Sequence, residues 1–239
     1  NRVIATVVTG AGPAGIAVNP VTNRIYVGRP VSNAVTVVDG TGKPWIGTRG
    51  GLETLDRRSG EFTHIVSNPP DPRRMPGGMV QCFVEDKSGN LWVGTESSGL
   101  DRYDRKTGTF SHFKHDDANP GSLSDNRVYA LCEDREGLLW VGTYGGGLNR
   151  LDPRTGTFVR YVHSDSIPGS LGGRGVFALA EDHEGALWVG TFGGGLDRFN
   201  RESGTFTHFK HDEANPASIS DDVVACIHED RGGTLWVGT

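Results

Sequence analysis

Apolar residues in this chain come in short bursts cut off by turn-forming residues, and the 48 residues from Tyr144 to Thr191 show the pattern in full. Gly145-Gly146-Gly147 opens the stretch, and Leu148 to Asp152 follows as a short alternating strand. Pro153-Arg154-Thr155-Gly156 reads as a turn, with glycine where a left-handed residue is wanted. Thr157 to Val162 is the next strand, apolar or aromatic at Phe158, Tyr161 and Val162, and a polar loop runs from His163 to Gly175. Val176-Phe177-Ala178-Leu179-Ala180 is apolar throughout, the mark of a strand buried on both faces. Asp182 to Gly185 makes a tight hairpin, and Leu187-Trp188-Val189-Gly190-Thr191 pairs back. The pattern predicts four short antiparallel strands.

That last strand recurs as Asn90 to Thr95, Leu138 to Thr143 and Thr234 to Thr239, and more weakly as Lys43 to Thr48. All five tryptophans mark it, at Trp45, Trp92, Trp140, Trp188 and Trp236, in steps of 47, 48, 48 and 48 residues. The period divides the chain into units at about 1–48, 49–95, 96–143, 144–191 and 192–239, one domain with no room for a second. A lone four-stranded meander cannot bury both faces, whereas sheets stacked around an axis bury them against neighbours. The expected fold is all-β: a five-bladed β-propeller of four-stranded antiparallel blades. One tryptophan per blade would fill the gap to the next, with an upper bound of about 5 kcal/mol for burying roughly 200 Å² of indole. The glycine after each Trp-Val is expected where backbone approaches backbone.

Composition agrees. Gly 36 and 35% apolar residues suit many tight turns rather than helices. A net charge of −5 argues against a nucleic-acid partner, and no apolar run approaches the ~18 residues of a membrane span. Cys82, Cys132 and Cys226, odd in number and each in an apolar strand pattern, are expected as reduced, buried thiols.

Units two to five resemble the two-component regulator propeller repeat. The residues that carry the likeness are Leu123 to Val128, Glu133-Asp134, Gly137, Leu139 to Thr143 and Gly147 to Arg150. They return as Ile219 to Val224, Glu229-Asp230 and Leu235 to Thr239, with Gly195 to Arg198. The resemblance implies a propeller from the extracytoplasmic sensor region of bacterial hybrid sensor kinases, associated with carbohydrate sensing, and hence a periplasmic or extracellular address. The first unit departs from it. Gly12 to Val27 and Ser32 to Gly40 resemble a different propeller family, the YVTN repeat, yet Asp39 to Thr48 aligns with Asp182 to Thr191 without a gap. The chain therefore reads as a splice of two propeller lineages, natural or engineered; the start at Asn1 without methionine fits a trimmed or made product.

The chain ends on the second strand of a blade, so the last blade lacks its outer two strands, while residues 1–28 hold three strand-like runs: Arg2 to Val8, Gly15 to Val18 and Arg24 to Val27. Two of these are expected to complete the last blade and close the ring, since an unfilled blade leaves open edges. A sixth blade centred on Tyr26 is too short, because only 19 residues separate it from Trp45.

In a repeat protein, chemistry is sought where units differ. His64, His112 and His208, with Arg160 at the fourth place, hold matched positions on different blades and cannot share a metal; His228 could line a channel. No H-E-x-x-H or C-x-x-C spacing occurs. The pairs Glu85-Asp86, Glu133-Asp134, Glu181-Asp182 and Glu229-Asp230 point to opposite faces of a strand, so the aspartate is expected to cap its own turn. The acidic loops 116–120 and 212–216 fall short of calcium-loop spacing, and the triple glycines have no following lysine or helix for phosphate.

The residue after each Trp-x-Gly-Thr does vary: Arg49, Glu96, Tyr144 and Phe192. These would rim the central funnel with Asn126, Arg127 and Arg174 nearby, on loops carried by a rigid scaffold. The aromatics could stack on a sugar face and the arginines donate hydrogen bonds. The expected function is a non-enzymatic binding or scaffold module, an engineered chimera without a selected ligand being one form of it. Alternatives are a carbohydrate-sensing module with an oligosaccharide or other small ligand at the funnel, and a lyase or hydrolase. No cofactor, metal or nucleic acid is expected, and the chain is expected to be a monomer.

Overall fold

The computed structural model describes residues 15–19, 24–28, 35–38, 44–48, 51–56, 58–65 and 79–239. Among them there is no helix. The first sheet holds β1 (Gly15–Asn19), β2 (Arg24–Gly28), β3 (Val35–Val38), β4 (Pro44–Thr48), β5 (Gly51–Leu55) and β6 (Phe62–Ile65), in that order. The second holds β7 (Val80–Glu85), β8 (Leu91–Thr95), β9 (Leu100–Asp104) and β10 (Thr109–Phe113). The third holds β11 (Val128–Glu133), β12 (Leu139–Thr143), β13 (Leu148–Asp152) and β14 (Thr157–Tyr161). The fourth holds β15 (Val176–Glu181), β16 (Leu187–Thr191), β17 (Leu196–Asn200) and β18 (Thr205–Phe209), and the fifth β19 (Cys226–Glu229) and β20 (Leu235–Gly238). Within each sheet the described strands pair antiparallel with their chain neighbours, as in propeller blades.

Closure is where the structure departs from expectation. β1 and β2 do not complete the last sheet. They extend the first, β1 pairing with β2 and β2 with β3. The reason is local: β1, β2 and β3 follow one another through short connections, and such a meander forms without closing a long loop. The run from Arg2 to Val8 lies outside the described residues.

Three of the tryptophans sit between sheets. Trp45 packs in one apolar cluster with Leu52 and with Val80, Phe83, Leu91 and Val93 of the second sheet. Trp92 does the same with Val128, Leu139 and Leu151 of the third, and Trp140 with Val176, Leu187 and Phe199 of the fourth. Trp92 and Trp140 are fully buried, Trp188 is half-buried, and Trp236 is 62% exposed on the fifth sheet.

Polar bonds tie each indole to its own hairpin. The Nε1–H groups of Trp92, Trp140 and Trp188 donate to Oδ2 of Asp86, Asp134 and Asp182, each at 2.8 Å, and Trp236 donates to Asp230 at 2.9 Å. The other carboxylate oxygen caps the turn: Asp134 Oδ1 accepts the Glu136 and Leu138 N–H groups at 3.0 and 2.9 Å. The neighbouring glutamate reaches back a sheet. Glu133, Glu181 and Glu229 accept the N–H of Lys87, Arg135 and His183, each at 2.8 Å. Adjacent strand residues face opposite ways, so one carboxylate serves its own sheet and the other the sheet before. Arg201 adds a brace from the fourth sheet, bonding Asp134 at 2.8 Å and Glu181 at 2.9 Å with its guanidinium over the Trp140 ring. Burial pushes Asp134 up, but the bonds from Arg201, Trp140 and Leu138 outweigh it and hold the carboxyl below its ordinary range.

The glycine of Trp-Val-Gly marks the closest approach between sheets. A Cβ on Gly94 would lie 2.5 Å from Val128 Cγ1, on Gly142 2.5 Å from Val176 Cγ1, and on Gly190 2.7 Å from Val224 Cγ1. Elsewhere in a strand Gly→Ala would be neutral or mildly stabilising. Here Gly142→Ala is expected to cost about 2 kcal/mol, lowering Tm by roughly 4–8 °C. The sum of that cost and the cost of Val176→Ala should exceed the cost of the double variant, measured by thermal unfolding; strict additivity would show that the two sheets do not meet there.

Candidate functional site

The described rim positions Glu96, Tyr144 and Phe192 lie where the second strand of a sheet turns into the third. Each is fastened by its backbone to the residue preceding or entering an inner strand: Glu96 N–H to the Met79 carbonyl, Tyr144 N–H to Arg127, and Phe192 N–H to Gly175, each at 2.9 Å. The turns are held from inside as well. Thr95, Thr143 and Thr191 donate their buried hydroxyls to the Gly99, Gly147 and Gly195 carbonyls at 2.9–3.0 Å. Each of those glycines has positive φ, and a Cβ on Gly147 would meet the Tyr161 carbonyl oxygen at 2.5 Å.

Of the six residues expected at the rim, three come together. Tyr144, 42% exposed, and Phe192, 55% exposed, flank Phe177, with ring centroids 5.9 and 5.4 Å from it. Arg127 stacks its guanidinium on Tyr144, 4.7 Å from the ring centroid. Its position is set by Asp125, which takes Nε and Nη2 at 3.1 and 2.7 Å. Burial pushes Asp125 up, and the Arg127 hydrogen bonds more than reverse this. Glu96 is exposed at the same end, and its charge, after burial, helps push the Tyr129 phenol up. Arg174 is exposed, its carbonyl taking the Gly147 N–H, but its side chain has no partner among the described residues. Arg49 lies outside the described residues.

Two residues of this site were not singled out from sequence. Tyr129 in β11 and Phe177 in β15 stack at 5.3 Å, and Tyr129 also meets Tyr144 at 5.6 Å. The ladder slips a residue at both places, between Val128 and Ala130 and between Val176 and Ala178, so each ring sits on a β-bulge that re-aims it. The signal was there: the matched positions read Gln81, Tyr129, Phe177 and Ala225, as variable as the rim position itself. The result is a half-exposed aromatic row, Tyr144–Tyr129–Phe177–Phe192, over the seam between the third and fourth sheets. It offers flat apolar faces, with Arg127 held ready at one end to donate. No nucleophile–base pair lies in it, and no cluster of His, Cys, Asp and Glu among the described residues suits a metal. A separate cavity of about 220 Å³, lined by Tyr161, Ile167, Pro168, Leu171 and Phe206, opens elsewhere on the same seam.

The strand histidines have structural partners. His64, His112 and His208 meet Glu53, Asp101 and Asp197 across the outer pair of strands at 3.1, 2.6 and 2.6 Å, each in a different sheet. His228 is half-buried in β19 opposite Trp236. The expectation of three buried thiols needs correcting: Cys82 and Cys132 are half-buried, but Cys226 is exposed, because no further sheet covers β19 on that side among the described residues. Desolvation pushes the Cys132 thiol up to about 12 and the Cys82 thiol further still.

The family comparison finds the two component regulator propeller model at residues 74–97, 122–145, 170–193 and 218–239. No curated protein sequence matches the chain. Among solved structures it is similar to the extracellular domain described as that of the hybrid two component system BT4673 from B. thetaiotaomicron, at 22% identity and a TM-score of 0.70 over 94% of this chain. The extracellular domain described for BT3049 from the same organism gives 20% and 0.64, again over 94%. The chain spans 31% and 38% of those two chains. Virginiamycin B lyase from Staphylococcus aureus gives 15% and 0.64, covering 95% of this chain and 77% of that one. At such identities the likenesses show the fold, a β-propeller type.

Thiol chemistry checks the burial pattern. With a neutral maleimide at pH 7.5, Cys226 should label at least about tenfold faster than Cys82 and Cys132, whose raised thiols keep little reactive thiolate. Equal rates by peptide mapping would contradict the seams described above.

Proposed function

We propose that this chain, which carries two-component regulator propeller repeats, is a non-enzymatic binding module that presents a small-ligand site on the aromatic row. The observation that supports this best is the confinement of aromatic residues to one seam. Rim and bulge positions read Glu96 and Gln81 in the second sheet, but Tyr144 and Tyr129 in the third and Phe192 and Phe177 in the fourth. Identical scaffolding with local variation is how rigid repeats carry recognition. The ligand class that fits is one with flat, weakly polar faces and hydrogen-bond acceptors, for which an oligosaccharide is the leading example: ring faces stack on Tyr144 and Phe192, and Arg127 donates to a hydroxyl. The similarity to extracellular domains of two component systems supports a sensing role and a periplasmic or extracellular address. The five units make a five-bladed assembly in this reading, and the YVTN-like first unit is a splice onto it. Binding would occur as a monomer.

The test is a glycan array followed by calorimetry on any hit. Tyr144→Ala and Phe192→Ala should each weaken binding about tenfold, with Tm unchanged within a degree or two, since both rings are exposed. Silence across the array, or full affinity in both variants, would leave the chain as a scaffold with no ligand on this row. The likeness to a lyase supports only the fold.

A further inference from the structure

Four sheets carry a polar residue at one matched place in the third strand, facing a basic residue in the fourth. The pairs are Glu53 with His64, Asp101 with His112, Asn149 with Arg160, and Asp197 with His208. Asp101, Asn149 and Asp197 are fully buried. Two of these have every carboxylate or amide oxygen supplied. Asn149 Oδ1 accepts the Ser124 N–H at 3.0 Å, and its amide donates to Ser124 Oγ and the Val141 carbonyl. Asp197 Oδ1 meets His208 Nδ1 at 2.6 Å, and its Oδ2 accepts the Gly172 N–H at 2.7 Å. Asp101 differs. Its Oδ1 meets His112 Nδ1 at 2.6 Å, but its Oδ2 is buried with no hydrogen-bond partner.

The sequence differs at the matching place. Ser124 and Gly172 each stand 25 residues before the side chain they serve. Counting back 25 from Asp101 arrives at Pro76. Pro76 lies outside the described residues, and the point is chemical: proline has no N–H to give. We propose that Asp101 and His112 form a pH-sensitive latch in the second sheet, closed while the pair keeps one proton beyond the imidazole's own N–H and loosened when that proton leaves for solvent. A bare buried carboxylate lacking a donor on one oxygen carries the full desolvation cost of that oxygen, and the proton removes the charge that makes it expensive.

The surroundings agree. Burial pushes Asp101 up to about 6, against the lowering effects of His112, across the β9–β10 pair, and of Lys114 just beyond. β8 presents Val93 opposite, which is neutral. The sign follows directly. A carboxyl raised in the folded state contributes stability that is whole below its ordinary range near 4 and is lost as pH rises through about 6. The latch sits beside the rim. β9 begins one residue after Gly99, whose N–H holds the Asn126 carbonyl at 2.9 Å and whose carbonyl takes the Thr95 N–H and hydroxyl. Loosening β9 therefore reaches the turn that carries Glu96 and the segment that carries Arg127. This inference stands apart from the ligand reading.

Amide hydrogen exchange on the whole chain tests it, with protection factors compared at pH 5 and pH 8. Amides of β9 and β10 should lose about tenfold in protection relative to those of β17 and β18, where Gly172 supplies the missing donor. Asp101→Asn removes the titrating group, so it should shrink the difference to less than about threefold. No relative loss in the wild-type chain, or an undiminished loss in Asp101→Asn, would overturn the latch. Should a variant fail to fold, carboxyl NMR titration of the wild-type chain decides: a midpoint for Asp101 near 6 supports the latch, and one near 4 refutes it.

Discussion

Neighbouring sheets of this molecule meet through apolar faces, and at the first three seams one indole makes those faces fit. The indole cannot simply be buried, because its N–H needs an acceptor. The hairpin aspartate provides one, and in doing so fixes the ring's angle to its own turn while its second oxygen closes that turn. The glutamate beside it, pointing the other way, takes a backbone N–H from the preceding hairpin. A two-residue acidic step thus holds an indole in its own sheet and secures the sheet behind. The Trp-Val-Gly glycines then set how near the sheets come, since any side chain there would strike a valine of the next inner strand.

Such a scheme makes the units nearly interchangeable, so the places where they differ carry the meaning. The first sheet differs most. At the positions that engage a preceding sheet, it has Val38 where later sheets have Glu133, Glu181 and Glu229, and Asn33 where they have Val128, Val176 and Val224. It is not equipped to bolt onto a sheet behind it in the way the others are. That agrees with β1 and β2 extending it rather than completing the fifth sheet. The aromatic row is the second difference, and the unserved oxygen of Asp101 the third.

Much of this was legible in the residues. The tryptophan period, the four-strand unit, the tight glycine and the turn-capping aspartates all follow from short-range pattern, because they are local or repeat at a fixed interval. Tyr144, Phe192 and Arg127 were legible as varying residues on a constant loop. Tyr129 and Phe177 were not, since alternation alone assigns a strand residue to a face and cannot foresee a one-residue slip in the ladder. The buried partners of His112 and His208 were missed for a related reason: cross-strand register is a matter of pairing, and eleven residues of sequence do not announce it.

The sequence by itself determined the repeat, its strands and the residues that join one sheet to the next, because those depend on contacts that every unit makes with an identical neighbour. Only the tertiary structure decided where the N-terminal strands go, which rings share a surface and which buried oxygen is left without a donor. Those depend on which segments meet in space when neighbours are not identical, and composition and spacing do not encode that.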